Sequence, residues 1–345
     1  MAVRRINLAL QGGGAHGAFT WGVLDRLLCD ESIEIAAISG TSAGALNGAA
    51  VKAGLARGGR AAARENLDWL WEQVGAVGDV RLGDWFRAFL PLAGIWSGVT
   101  DRLAPFSPVD VAARVFSPYD LGPFYANPLA RIARAFEFEH VCGPAGPELF
   151  VAATNVRTGK IRVFPSHQIT PEVILASACL PTVFQAVEIE DPATGRMEAY
   201  WDGGYTGNPA LFPLFARHLP RDIVVVSINP LVRDAVPRIA VEIEDRINEI
   251  SFNASLLAEF RAINFVKRLI RSGAMSAEAM KDVLVHIVAD DDLMDHLSAA
   301  SKLTPAPGLL FALKEAGIAA ADRFLGEHSE KLNREASVDL PRMFG

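Results

Sequence analysis

The chain has 345 residues, 50% of them hydrophobic and 21% charged, with a formal net charge of −7. That is enough apolar material for one large core and fits a single α/β domain, alone or with a cap. The acidic balance and the lack of Lys/Arg runs argue against a nucleic-acid partner, while Cys29, Cys142 and Cys179 supply neither a disulfide framework nor metal-ligand spacing and read as reduced thiols of a cytoplasmic protein.

The start, Met1-Ala2-Val3-Arg4-Arg5, is basic. The apolar run that follows is too short for a signal-peptide core, and no run approaches a membrane span. A soluble protein is expected, which leaves contact with a membrane surface open. Residues 6–10 read as a buried strand, 18–29 as a helix with Phe19, Val23, Leu24, Leu27 and Leu28 on one face, and 33–38 as a second strand. Residues 43–53 are rich in small side chains and read as a tightly packed helix ending near Gly54. From about 56 to 135, helical stretches (61–74, 84–90, 109–116) alternate with Pro and Gly breaks, and Trp69, Trp71, Trp85, Phe86, Phe89 and Trp96 cluster among them. This reads as an inserted helical cap.

Strand-like runs return at 149–154, 161–164, 183–189 and 197–201, the last two joined by the turn signal Asp191-Pro192-Ala193-Thr194-Gly195. Residues 222–229 read as a strand buried on both faces, 236–271 as a long helix or a broken pair, 282–289 as a strand and 307–325 as a helix. The last twenty residues read as a loosely held tail. Strands alternating with helices predict an α/β fold with a mostly parallel central sheet, in a single domain over 1–330 followed by a tail at 331–345.

Two glycine motifs carry the chemistry. Gly12-Gly13-Gly14-Ala15-His16-Gly17 follows the first strand and opens the first helix. Gly12, Gly14 and Gly17 also fit a dinucleotide loop, but that reading needs an acidic residue after the second strand, where Ile38-Ser39-Gly40-Thr41-Ser42 offers none. A purely structural glycine turn is the plainer alternative. Three consecutive glycines otherwise allow successive N–H groups to share a concavity suited to an oxyanion. Gly40-Thr41-Ser42-Ala43-Gly44 fits the nucleophile elbow G-x-S-x-G, with Ser42 at a helix N-terminus. A right-handed strand–helix–strand crossover puts both motifs on one edge of the sheet. The best candidate base is Asp202 in Trp201-Asp202-Gly203-Gly204-Tyr205, against the simpler reading of an ordinary Asp-Gly turn.

Taken together, Gly12-Gly13-Gly14-x-x-Gly17, Gly40-x-Ser42-x-Gly44 and Asp202-Gly203-Gly204 resemble the patatin-like phospholipases in order and rough spacing. Ala176-Ser177-Ala178-Cys179-Leu180-Pro181 is similar to a small-residue block ending in proline in that family, and Asn208-Pro209 also matches; the motifs span roughly residues 5–230. The resemblance implies a three-layer patatin-like fold and a Ser42–Asp202 dyad in place of a triad. It implies N–H donors from Gly12, Gly13 and Gly14, of which Gly13 and Gly14 are favoured, with His16, Gly17, Gly40, Gly44, Gly203 and Gly204 supporting the site. No cofactor or metal is implied. One departure is His16, at a position that usually carries Arg or Lys in the family and where the alternative is a side chain that merely packs beside the loop.

The rival mechanism is a Ser-His-Asp triad drawing on His218, His286, His296 or His328, although His286 lies in mid-strand and the elbow comes early for an α/β-hydrolase. The expected activity is hydrolysis of phospholipid, lysophospholipid or similar carboxylic esters. An acyltransferase or thioesterase with the same acyl-Ser chemistry, and a catalytically silent lipid-binding regulator, are the alternatives. The aromatics around Trp85-Phe86-Arg87-Ala88-Phe89-Leu90 face either lipid or an ordinary helical core.

Overall fold

A computed structural model describes residues 3–77, 117–276 and 279–344. The expected helices at 84–90 and 109–116, with Trp85, Phe86, Phe89 and Trp96, lie outside the described residues.

All eight expected strands are present: β1 (Arg4–Leu10), β2 (Ile33–Thr41), β3 (Glu148–Asn155), β4 (Ile161–Pro165), β5 (Val187–Asp191), β6 (Arg196–Asp202), β7 (Asp222–Val226) and β8 (Leu284–Val288). They form one sheet in the order β5-β6-β3-β2-β1-β7-β8, with β4 paired to β3. The β3-β2-β1-β7-β8 stretch is parallel throughout, and β4, β5 and β6 add an antiparallel margin. Strand β5 begins later than residue 183 because Val183 and Phe184 donate back to the Leu180 carbonyl in a turn after Pro181.

Helices cover both faces, giving three layers. Alternate residues of β7 divide between two cores: Val224 and Val226 face one, Ile223 and Val225 the other. A strand buried on both sides therefore reads as an unbroken apolar run. The first core is built by α1 (Gly17–Leu28), α2 (Ala43–Val77) and α9 (Pro307–His328), numbering the helices in chain order. The second is built by α6 (Ala240–Arg271) and α10 (Leu340–Phe344).

Helix α2 does not stop near Gly54. It runs to Gly58 and Gly59, where non-helical backbone kinks it, and its second half folds back on the first. A Cβ on Gly54 would overlap Ala63, so this glycine serves close packing of the two halves. Trp71, expected in the cap, is buried in the first core, stacked on Trp21 and bonded through Nε1 to Asn47. The segment returning at residues 117–125 is tied to β5's approach, where the Tyr125 and Tyr119 hydroxyls accept from the Gln185 and Ala186 N–H groups.

Between the last strands and α9 lie two short helices, α7 (Asp291–Asp295) and α8 (Ala299–Lys302); α3 (Ala130–Arg134), α4 (Phe138–Cys142) and α5 (Pro171–Ser177) come earlier in the chain. The C-terminal tail is not loose. Leu332 and Leu340 are buried, and Asn333 donates to both carboxylate oxygens of Asp222 and to the Arg5 carbonyl. Its polar composition hid these pins.

Candidate active site

Strand pairing brings the sequence motifs together. Leu10, the last residue of β1, pairs with Gly40 of β2, so the glycine loop and the elbow leave adjacent strands at one edge. On β3, Thr41 pairs with Ala152 and Asp202 pairs with Ala153, while β4 occupies the other side. Strands β2 and β6 therefore end head-on along the same side of β3, and Ser42 and Asp202 follow from those two ends.

Ser42 has a φ of 55°, in the left-handed region that non-glycine residues rarely adopt. The turn is held from behind: Ser42 N–H donates to Ser177 Oγ at 2.9 Å, and Ser177 Oγ donates to the Ala152 carbonyl at 2.6 Å. This gives the small-residue block at 176–181 its place in the site. A Cβ on Gly44 would overlap the Leu10 carbonyl, and one on Gly40 would lie 2.5 Å from the Gly44 carbonyl, so the sharp turn excludes larger residues. Gly17 likewise packs against Ala43 and Trp71.

Asp202 is fully buried. Its backbone is fixed on both sides, by N–H to the Cys179 carbonyl and by Thr154 Oγ1 donating to its own carbonyl, each at 2.8 Å. Oδ1 accepts the Gly204 N–H at 2.7 Å, while Oδ2 has no hydrogen-bond partner among the described residues. Burial pushes the carboxyl up to about 7; the Gly204 N–H and the nearby Ser42 hydroxyl pull it the other way. The hydroxyl is thus close enough to favour the ionised form, though outside bonding geometry with Oδ2. Gly203 packs on the Ala152 carbonyl and Thr41, and Gly204 packs on Phe252.

The glycine loop departs from the expectation at one position. Gly12 N–H is already engaged, donating to Asn208 Oδ1 at 2.6 Å, and its carbonyl accepts from Asn229 Nδ2 at 3.0 Å. Gly12 instead provides clearance: a Cβ there would stand 2.7 Å from Ser42 Cβ. Among the described residues no acceptor takes the Gly13 or Gly14 N–H.

Several supporting residues carried little signal. Gln11 Oε1 accepts from the Ile228 and Asn229 N–H groups, and Gln11 Nε2 donates to Asn253 Oδ1, locking the loop to the end of β7 and to α6. Gln11 stands next to the glycine run and Asn229 just past a strand neighbouring β1, which placed both at the ligand edge in principle. Lys302 had no signal. His16 is buried with Nε2 at 2.7 Å from Ser301 Oγ, and burial, then the charge of Lys302, drives its pKa down to about 3, so it is neutral.

No histidine bonds Ser42 or Asp202 among the described residues. His286 is held by Asp222 and Ser337, and His218 by Glu148, both towards the opposite edge of the sheet. A triad has no third member here.

A three-layer α/β fold with a strained serine on a strand–helix turn beside a buried carboxylate defines a class of serine acyl hydrolases. The family model described as "Patatin-like phospholipase" matches residues 8–215, and the chain belongs to that family of lipid esterases. Among solved structures, VipD from Legionella pneumophila is similar at 15% identity and a TM-score of 0.41, covering 97% of this chain and 71% of that one. Full-length SpcU in complex with full-length ExoU, from the type III secretion system of Pseudomonas aeruginosa, is similar at 15% identity and a TM-score of 0.26. That match covers 90% of this chain and 53% of the other, so this chain spans about half its length. No curated protein sequence matches the chain.

Proposed function

We propose that the chain is a serine lipid acyl hydrolase of phospholipase A or lysophospholipase type, working through a Ser42–Asp202 dyad. The observation that carries this reading is the buried, unpartnered Oδ2 of Asp202 beside the strained Ser42. Ser42 Oγ attacks the ester carbonyl and its proton passes to Asp202. The tetrahedral oxyanion is held by the Gly13 and Gly14 N–H groups. The bond to the alcohol breaks as Asp202 returns the proton to the leaving oxygen, leaving acyl-Ser42. Water then attacks, Asp202 takes its proton, and the Oγ–acyl bond breaks to release the fatty acid and restore the serine hydroxyl.

The direction of α6 supports contact with a lipid surface. Asn253 meets Gln11 just past the end of β1, while Lys267 meets Asp282 and Val283 just before β8. The helix therefore runs against the strands, and its first turns project past the site edge. Ile239, Ile243, Ile247 and Ile250 are exposed there at helical spacing. No helix among the described residues is long and apolar enough to cross a membrane, so this contact is peripheral in the proposed reading. We assign the protein to the cytoplasmic side of a membrane, in keeping with its free cysteines.

A fluorophosphonate probe tests the dyad. Intact mass and peptide mapping are expected to show one adduct, on Ser42, forming about 100-fold more slowly in Asp202→Asn. A folded protein labelled elsewhere, or not at all, overturns the reading.

A further inference from the structure

The loop that carries Gly13 and Gly14 is clamped from outside by residues 301–302, beyond the family match, which ends at 215. His16 Nε2 meets Ser301 Oγ at 2.7 Å. Gly14, with φ +57°, lies against the Lys302 carbonyl so closely that a Cβ would overlap it. Lys302 Nζ then turns back into the protein and donates to Asn229 Oδ1 at 2.7 Å. The same amide donates through Nδ2 to the Gly12 carbonyl at 3.0 Å and to Gln11 Oε1 at 3.2 Å. An ammonium, an amide and the first peptide of the loop thus form one continuous chain of hydrogen bonds.

The charge at the end of this chain is costly to hold. Burial is the largest influence on Lys302 and disfavours its charged form; Glu249 and Asp245 offset that, and Arg233 adds to it. Arg233 is itself paired with Glu249. A lysine whose sole duty is packing is readily replaced by an apolar side chain of similar length. Beside this loop, however, a positive charge opposes no function: the N–H groups ahead of it are to receive a developing oxyanion, and His16 is neutral.

We propose that Lys302, acting through the Asn229 side chain on the Gly12 peptide, is a positioning residue that holds the glycine loop in its donor geometry and supplies the positive charge behind it. The proposal rests on the dyad reading. It makes the site a composite, with nucleophile, base and donors inside the family-matched span and the supporting cation near the C-terminus. Because the cation acts on the transition state and does not touch the substrate, its removal is felt in kcat and not in KM.

The test uses the full chain and p-nitrophenyl butyrate, with Ser42→Ala, Lys302→Met, Lys302→Arg and Asn229→Asp beside the wild type. Lys302→Met keeps the stem and removes the charge; kcat is expected to fall about 10- to 100-fold with KM within about twofold. Lys302→Arg is expected to recover kcat to within about threefold of wild type, which a packing role alone does not predict. Should Lys302→Met fail to fold, Asn229→Asp places a carboxylate against the ammonium and removes the donor to Gly12, and the same loss of kcat is expected. A folded Lys302→Met or Asn229→Asp with kcat within about twofold of wild type, while Ser42→Ala is dead, overturns the Lys302 proposal alone. Activity surviving in Ser42→Ala overturns the dyad reading and this proposal with it.

Discussion

The proposed dyad would make Asp202 join catalysis and stability in one side chain. In the proposed dyad it must be ionised to accept the serine proton, and burial raises its pKa to about 7. The kcat/KM for a soluble ester is therefore expected to rise with pH and level off above a midpoint near 7. An ordinary carboxylate midpoint near 4 would contradict the assignment. The sign for stability is opposite. Between its unfolded value near 4 and its folded value, the native carboxyl binds more proton than the unfolded one, so stability falls as pH rises through that window. Above it the penalty is at most roughly 4 kcal/mol. Asp202→Asn removes the penalty and is expected to raise the melting temperature at pH 8.5 relative to wild type, with a smaller change at pH 5, while activity collapses. Equal shifts at both pH values count against a strained ionised Asp202. The residues of the proposed dyad were legible because each sits on a glycine-flanked turn. The unbonded Oδ2 was not, since it depends on Cys179, Thr154 and Gly204 together fixing the backbone and the other oxygen.

Among the elements, strands were read more surely than helices. A strand such as β7 announces its type through Ile223-Val224-Val225-Val226, but it ends at Val226 and not at residue 229, because the Ile228 and Asn229 N–H groups turn to Gln11 Oε1. Helix ends depended on glycines whose duty lies in tertiary packing. Gly54 reads as a stop, yet it is where Ala63 closes on the first half of α2. The head-on meeting of β2 and β6 on β3 had no local signature, because it is set by which residues of β3 each strand pairs with. On α6 the inward positions Asn253, Leu256, Phe260 and Ile263 account for the buried face, but not for Ile243 and Ile247. If that stripe meets lipid, the double variant Ile243→Ser/Ile247→Ser loses vesicle binding without loss of fold. Removing two exposed isoleucines from an interface costs about 3 kcal/mol or more, or roughly 100-fold in partitioning. Phosphatidylcholine vesicle sedimentation reads the binding, and p-nitrophenyl butyrate hydrolysis, expected to hold, serves as the control. Unchanged sedimentation assigns the stripe another role.

At the scale of the whole molecule, the family-matched span is not a self-sufficient body. Residues after 215 supply β7 and β8, one wall of each core, and the N–H donors that lock Gln11 Oε1. The tail completes the same construction at the far edge. Asn333 joins the start of β1, through the Arg5 carbonyl, to the start of β7, through Asp222. Ser337 bonds His286, Val338 N–H meets the Val285 carbonyl at 3.2 Å, and Leu332 and Leu340 are buried. A chain ending at Glu330 loses all of these. Burying two leucines contributes about 3–6 kcal/mol, and the polar atoms left on Asp222 and His286 add to the loss. The truncated chain is therefore expected to melt at least several degrees lower. The deleted contacts lie at the N-terminal ends of the strands, across the sheet from Ser42, so the rate of fluorophosphonate labelling well below the melting temperature is expected to stay within about twofold. An unchanged melting temperature would mean that the tail is no part of the core. A labelling rate that fell with stability intact would instead tie the far edge of the sheet to Ser42.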